Sequence, residues 1–261
     1  MEITLVQALL IGLWTAFCFS GMLLGIYTNR CIVLSFGVGV ILGDLPTALS
    51  MGALSELAYM GFGVGAGGTV PPNPIGPGIF GTLMAITSNG TITPEAALAL
   101  STPIAVAIQF AQTFAYTACA GTPESAKKAI MKGNFKSFKM VSNTTIVLFA
   151  IIGFALGFGG SISMEALLKL VEYIPALLLN GLTVAGKMLP AIGFAMILSV
   201  MGKKELTPFI LLGYVCASYL KLPVIGIAIV GTIFALIEYY RTPVQAMQVE
   251  ANEGGNHDDW I

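Results

Sequence analysis

Glu56 is the only charged residue between positions 52 and 82, and a stretch of broken backbone follows it. Gly67, Gly68, Thr69, Val70, Pro71, Pro72 and Asn73 come 11 to 17 residues later, in the run GAGGTVPPN. Glycine weakens a helix interior, and proline removes a donor and clashes with the preceding turn, so this run cannot be a regular helix. Its free backbone N–H and C=O groups and the Asn73 amide both donate and accept. A sugar hydroxyl does the same, so a polyol is the ligand that suits such a tip. An ionised Glu56 can accept from two adjacent hydroxyls through charge-assisted bonds, which are stronger than neutral ones. Gln109 and Gln112 are three apart in a later apolar segment, hence on one helix face. There they can bond a neighbouring helix or the same sugar.

The surroundings are oily. Of 261 residues, 56% are hydrophobic and 10% charged, with a mean hydropathy of +0.87. A soluble domain carries about 25% charge, so the chain reads as an all-α polytopic membrane protein. Its length gives room for roughly seven to nine spanning or half-spanning helices of about 20 residues each. Irregular backbone at membrane depth is tolerated only where protein buries it or a wet cavity solvates it. A carboxylate there costs about 2.5–3.5 kcal/mol on insertion scales unless it is paired or faces such a cavity. Both features fall in one stretch. The expected arrangement is a re-entrant hairpin with GAGGTVPPN at its tip, near mid-bilayer depth, and Glu56 on the descending arm. The bland alternative is that Glu56 caps a neighbouring helix and PPNP is an exposed loop. Asp44, just before a Leu-Pro pair, is expected to cap the next helix rather than touch a ligand.

Several uncharged runs are long enough to cross a bilayer, among them 3–29, 97–121 and 140–160. The run 31–43 is marginal for a full crossing. Glu165, Lys169 and Glu172 share a face and mark an interfacial amphipathic helix. Up to residue 120 the charged side chains are Glu2, Arg30, Asp44, Glu56 and Glu95; then Lys127, Lys128, Lys132, Lys136 and Lys139 follow Glu124. This lysine-rich loop, 124–139, is placed in the cytoplasm by the positive-inside pattern. It divides a single transport domain, 1–240, into two halves, and 241–261 form a polar tail. Short Gly/Pro-interrupted segments occur in both halves, at 31–94 and 181–232, the pattern of paired broken helices in an inverted repeat. Nucleic-acid binding is not expected from one short basic loop between apolar spans.

Cys18, Cys31, Cys119 and Cys216 stand singly in or beside apolar runs and read as packing residues, not metal ligands. The single histidine, His257, lies in the polar tail. No Ser/His/Asp arrangement and no phosphate-binding glycine loop occurs. No catalytic residue, metal or cofactor is therefore expected in this chain, and any chemistry falls to a partner.

Four stretches, MEITLVQALLIGL, GVILGDLPTALSMGALSELAYMGF, GTVPPNPI and LLNGLTVAGKMLPAIGFAMIL, resemble the membrane IIC component of the mannose/sorbose family of bacterial sugar phosphotransferase systems. The resemblance covers essentially the whole chain, in order. It implies a multi-pass protein of the bacterial inner membrane that pairs with a membrane-embedded IID component, as a trimer of IIC–IID heterodimers. It further implies elevator-like import of a sugar, phosphorylated from a phosphohistidine on a cytoplasmic B component that an A component supplies. By position, Glu56, Thr69, Val70, Pro71, Pro72 and Asn73 would lie at the sugar, with Gln109 and Gln112 beside them. Asp44, Gly67 and Gly68 would support the site. The VPPNP stretch looks like the N-acetylgalactosamine and galactosamine members, with mannose or another hexose as the alternative. An ion-coupled secondary transporter also shows broken helices and a buried acid; a structural scaffold gives no reason to keep that acid.

Overall fold

A computed structural model describes residues 3–60, 72–203 and 206–241. Among them are eleven α-helices, and the chain divides into two compact units, 1–201 and 202–261. Gly67, Gly68, Thr69, Val70, Pro71 and the tail with His257 lie outside the described residues.

In the first unit, α1 (Leu5–Gly21) starts from a capping box. Thr4 Oγ1 accepts from the Gln7 N–H, and the Gln7 side chain accepts from the Thr4 N–H. This satisfies two donors that the first helical turn would leave orphaned. α1 packs antiparallel against α7 (Phe135–Ile162) through small residues. A Cβ on Gly157 would sit 2.3 Å from Thr15 Oγ1, and one on Gly153 3.0 Å from the Ala16 Cα. Glycines four apart let two backbones approach where lipid offers no hydrophobic drive.

α2 (Cys31–Leu42) and α3 (Leu45–Tyr59) form a tight hairpin beside α1. Gly43 makes its turn in the left-handed region (φ 82°), and Asp44 caps α3, Oδ1 accepting from the Thr47 N–H at 3.2 Å. The chain returns alongside α3 as a π-helical turn, Gly76–Gly81, leading into α4 (Thr82–Thr87). Pro77 removes a donor from that turn, and glycines allow close contact: a Cβ on Gly76 would lie 2.4 Å from that of Ala105. Thr82 Oγ1 donates to Ser35 Oγ (2.8 Å), which donates to the Gly78 carbonyl (3.2 Å), fastening the turn to α2. α3 and Gly76–Thr87, the expected arms of the re-entrant hairpin, thus pack side by side, and its expected tip as far as Pro71 lies outside the described residues.

α5 (Pro94–Ala118) backs this hairpin, with Pro103 inside it. The lysine segment is helical rather than a loop. Pro123 and Glu124 occupy the first turn of α6 (Thr122–Met131), and Glu124 pairs with Lys128 at 2.7 Å. α7 follows, then the short amphipathic α8 (Met164–Glu172), on which Lys169 pairs with Glu165 at 2.7 Å. That ammonium holds the exposed Glu165 carboxyl below its ordinary range. α9 (Ala176–Met201) runs unbroken through Gly181, Gly186 and Pro190, where the sequence suggests an interruption. It packs on α3 and α5 because Gly186 and Gly193 let it approach their backbones. The second unit contributes α10 (Thr207–Ser218) and α11 (Val224–Arg241), packed on each other.

Four of the described helical segments are long and apolar enough to cross a membrane: Leu5–Leu24, Pro94–Met131, Phe135–Ile162 and Ala176–Ser199. Four shorter apolar helices accompany them. The described π-helical turn and α4, Gly76–Thr87, are buried against α2, α3 and α5, so their polar backbone is covered by protein.

Candidate functional site

A cavity of about 350 Å³ lies where the last turn of α3, the first turn of α2 and the lower half of α5 converge. Glu56, Gln109, Gln112, Pro72, Pro74 and Tyr59 are on its wall, together with Arg30, Asn29, Cys31, Met22 and Met60. Residues separated by more than fifty positions in sequence thus line one space. Gln109 and Gln112 lie 15 and 18 residues beyond Pro94, about 23–27 Å along α5 at the helical rise. The cavity therefore lies nearer the end of α5 that leads into the lysine-bearing α6 than its Pro94 end.

Glu56 is engaged on both oxygens. Oε1 accepts from the Arg30 guanidinium, whose Nε lies 2.5 Å away, and Oε2 accepts from the Ile32 N–H at 3.3 Å. Ile32 is the second residue of α2, so the carboxylate caps that helix and meets the positive end of its dipole. The capping alternative and the cavity position hold together: Glu56 does both. Its side chain is 18% exposed and that of Arg30 53%. Two oxygens offer about four acceptor positions, so these bonds leave lone pairs for a ligand.

Asn73 is fully buried and is not on the cavity wall, unlike its neighbours Pro72 and Pro74. Its Nδ2 donates to Gln112 Oε1 and its Oδ1 accepts from the Ile75 N–H at 3.0 Å. Its own N–H donates to the Ala105 carbonyl (3.1 Å), and its carbonyl accepts from the Gly76 N–H (3.1 Å). All four bonds tie the broken segment to α5 or to its own turn. Gln112 reaches both Asn73 and the cavity, and half-buried Gln109 faces the cavity one turn earlier. Cys31 Sγ stands 3.8 Å from the Pro74 carbonyl, in contact with the same segment. Asp44 caps α3 at its far end, twelve residues before Glu56, about 18 Å away along the helix and off this cavity.

Sequence reasoning had no role for Arg30. One signal pointed to it: it is the only cation before the lysine cluster, in a region that also buries an acid. Among the described residues no group of acids, cysteines and histidine could hold a metal ion. The wall combines one ion pair, three amides and a phenol with thiol, thioether and proline surfaces. That composition suits a small polyol with an apolar side: amides and carboxylate for hydroxyls, Met and Pro for carbon.

A family model described as the sorbose-specific IIC component of the phosphotransferase system matches residues 5–237. The chain belongs to this family. It is therefore a membrane-embedded IIC sugar permease, working with cytoplasmic components of the system. Among its relatives is N-acetylgalactosamine permease IIC component 1 of Escherichia coli K12, 32% identical over 92% of this chain and 90% of that one. The sorbose-specific EIIC component of Lacticaseibacillus casei is 29% identical over 98% and 92%. A solved structure of the mannose transporter ManYZ in complex with microcin E492 is 26% identical, covering 93% of this chain and 98% of that one, with a TM-score of 0.58. A further solved membrane protein of equal identity and coverage superposes with a TM-score of 0.83. The IIC permease fold thus extends over nearly the whole chain.

Proposed function

We propose that this IIC component imports N-acetylgalactosamine across the bacterial inner membrane, for phosphorylation by a cytoplasmic B component at the expense of phosphoenolpyruvate. The observation that carries the reading is the convergence of Glu56, Gln109 and Gln112 on one cavity beside Pro72 and Pro74. Glu56 accepts from sugar hydroxyls, and the two amides donate and accept. Pro72, Pro74, Met22 and Met60 offer apolar surface to the ring and the acetyl methyl. Asn73 anchors the wall. Thr69, Val70 and Pro71 are further sugar-contacting candidates, with Gly67 and Gly68 in support, and all five lie outside the described residues. The N-acetylgalactosamine relative supports this choice of sugar. A mannose- or sorbose-type hexose is the second reading, favoured by relatives with those names.

The chain pairs with a IID component, as a trimer of heterodimers; the ManYZ complex is the structural relative behind this. Residues 1–240 act as one transport domain, with 241–261 a tail. The hairpin and its cavity move as a core past the outer helices in an elevator-like step.

The deciding measurement is a competition panel of sugars against labelled N-acetylgalactosamine on the purified IIC–IID pair, followed by uptake into vesicles. Label should enter only as sugar phosphate, and only with phosphoenolpyruvate and the B component present. Uptake of free sugar that collapses with an uncoupler would instead identify an ion-coupled carrier. Stronger competition by mannose or sorbose would move the specificity to the second reading.

A further inference from the structure

We infer that Arg30 sets the charge specificity of the cavity: by cancelling Glu56 it makes this a site for uncharged sugars and disfavours the free amino sugar. The inference rests on the reading that the cavity holds the substrate. Arg30 and Glu56 are the only charged groups among the described residues on its wall. The other titratable neighbours, Cys31 on α2 and Tyr59 on α3, are neutral in their ordinary forms, and the α5 side supplies amides. Lys187, the cation of α9, lies beside Gly186, which packs on the Glu95 carbonyl at the opposite end of α5. The ion pair therefore decides the net charge that a ligand meets.

Its geometry fits that role. The guanidinium approaches one carboxylate oxygen through Nε and Nη2, and the Ile32 N–H takes the other. The carboxylate is fixed in position and its charge compensated, so a neutral polyol meets acceptors without a net field. An ammonium on the ligand would have to compete with a cation already seated at the same oxygen, and like charges at that range repel strongly in a part-buried site. Acetylation of galactosamine removes its positive charge and also adds a methyl and a carbonyl, so the part due to charge is read from the change in the affinity ratio when Arg30 or Glu56 is replaced.

The test compares the affinities of N-acetylgalactosamine and galactosamine at mildly acidic pH, where the free amine is cationic, using the purified IIC–IID pair. The unsubstituted protein should prefer the acetylated sugar. Arg30→Gln leaves the carboxylate uncompensated and should shift the affinity ratio toward galactosamine by about tenfold or more, as expected for an opposite charge gaining access to a part-buried carboxylate. Arg30→Lys should keep the original preference. Glu56→Gln, which leaves the guanidinium alone, should move the ratio the other way, so either variant carries the test if the other fails to assemble. The Arg30→Gln/Glu56→Gln double variant should return to the original preference with weaker binding overall. A merely structural Arg30 would lower both affinities equally; an unchanged ratio in the Arg30→Gln or Glu56→Gln protein overturns the inference while leaving the transport reading intact. Failure of the unsubstituted protein to bind any sugar of the panel overturns both.

Discussion

Removing the Asn73 side chain tests how the broken segment is held. Asn73→Ala deletes the bond to Gln112 and the one from Ile75 N–H, leaving a buried acceptor and a buried donor without partners. A net hydrogen bond is worth about 0.5–1.5 kcal/mol, and an orphaned buried group costs about 1–3 kcal/mol. Bonds between helices of membrane proteins average nearer 0.6 kcal/mol, so the lower ends apply, and about 2 kcal/mol of destabilisation is expected in all. Gln112→Ala removes only the shared bond and should cost about 1 kcal/mol. Because the two side chains meet directly, the pair should be non-additive by about 0.5–1.5 kcal/mol. Thermal unfolding of the two single variants and the double variant in detergent measures this. Sugar affinity should also fall in Asn73→Ala, although Asn73 is off the cavity wall, since Pro72 and Pro74 flank it. Additivity within about 0.3 kcal/mol would show that the Asn73–Gln112 contact does not hold the segment, and the account of the wall would fail.

Three further outcomes follow from the same geometry. Glu56→Gln should weaken sugar binding at least about tenfold, the loss of one charge-assisted bond of about 1.5–3 kcal/mol, with the protein still inserted; equal affinity in a binding assay would take Glu56 out of the site. Asp44→Ala should cost about 1 kcal/mol through the lost helix cap while sugar affinity stays constant, and a matching affinity loss would mean that Asp44 reaches the ligand. Gly157→Ala forces a methyl to within 2.3 Å of Thr15 Oγ1 and 2.9 Å of the Ile11 carbonyl. It should destabilise the α1–α7 contact by about 1–3 kcal/mol, read as a lower melting temperature.

The sequence by itself determined the solvent of this protein and the layout of its chain. A tenth of the residues charged and long apolar runs leave only the bilayer as a medium. The places where helices must fail, around 61–81, are also local, because glycine and proline act on their own backbone. Asp44 before Leu-Pro was legible as a cap for the same reason. The partners of the buried polar groups were not. Arg30 meets Glu56 across 26 positions and Asn73 meets Gln112 across 39. Neither pairing has a period in the sequence; each depends on which helix ends the fold brings together. That α9 runs on through Pro190 was likewise outside local propensity, and it packs there against α3 and α5. Local sequence fixes where a chain is unable to be regular. Which charge answers which across the resulting gap is decided only when the helices pack, because Coulomb and hydrogen-bond energies depend on distances that tertiary structure sets.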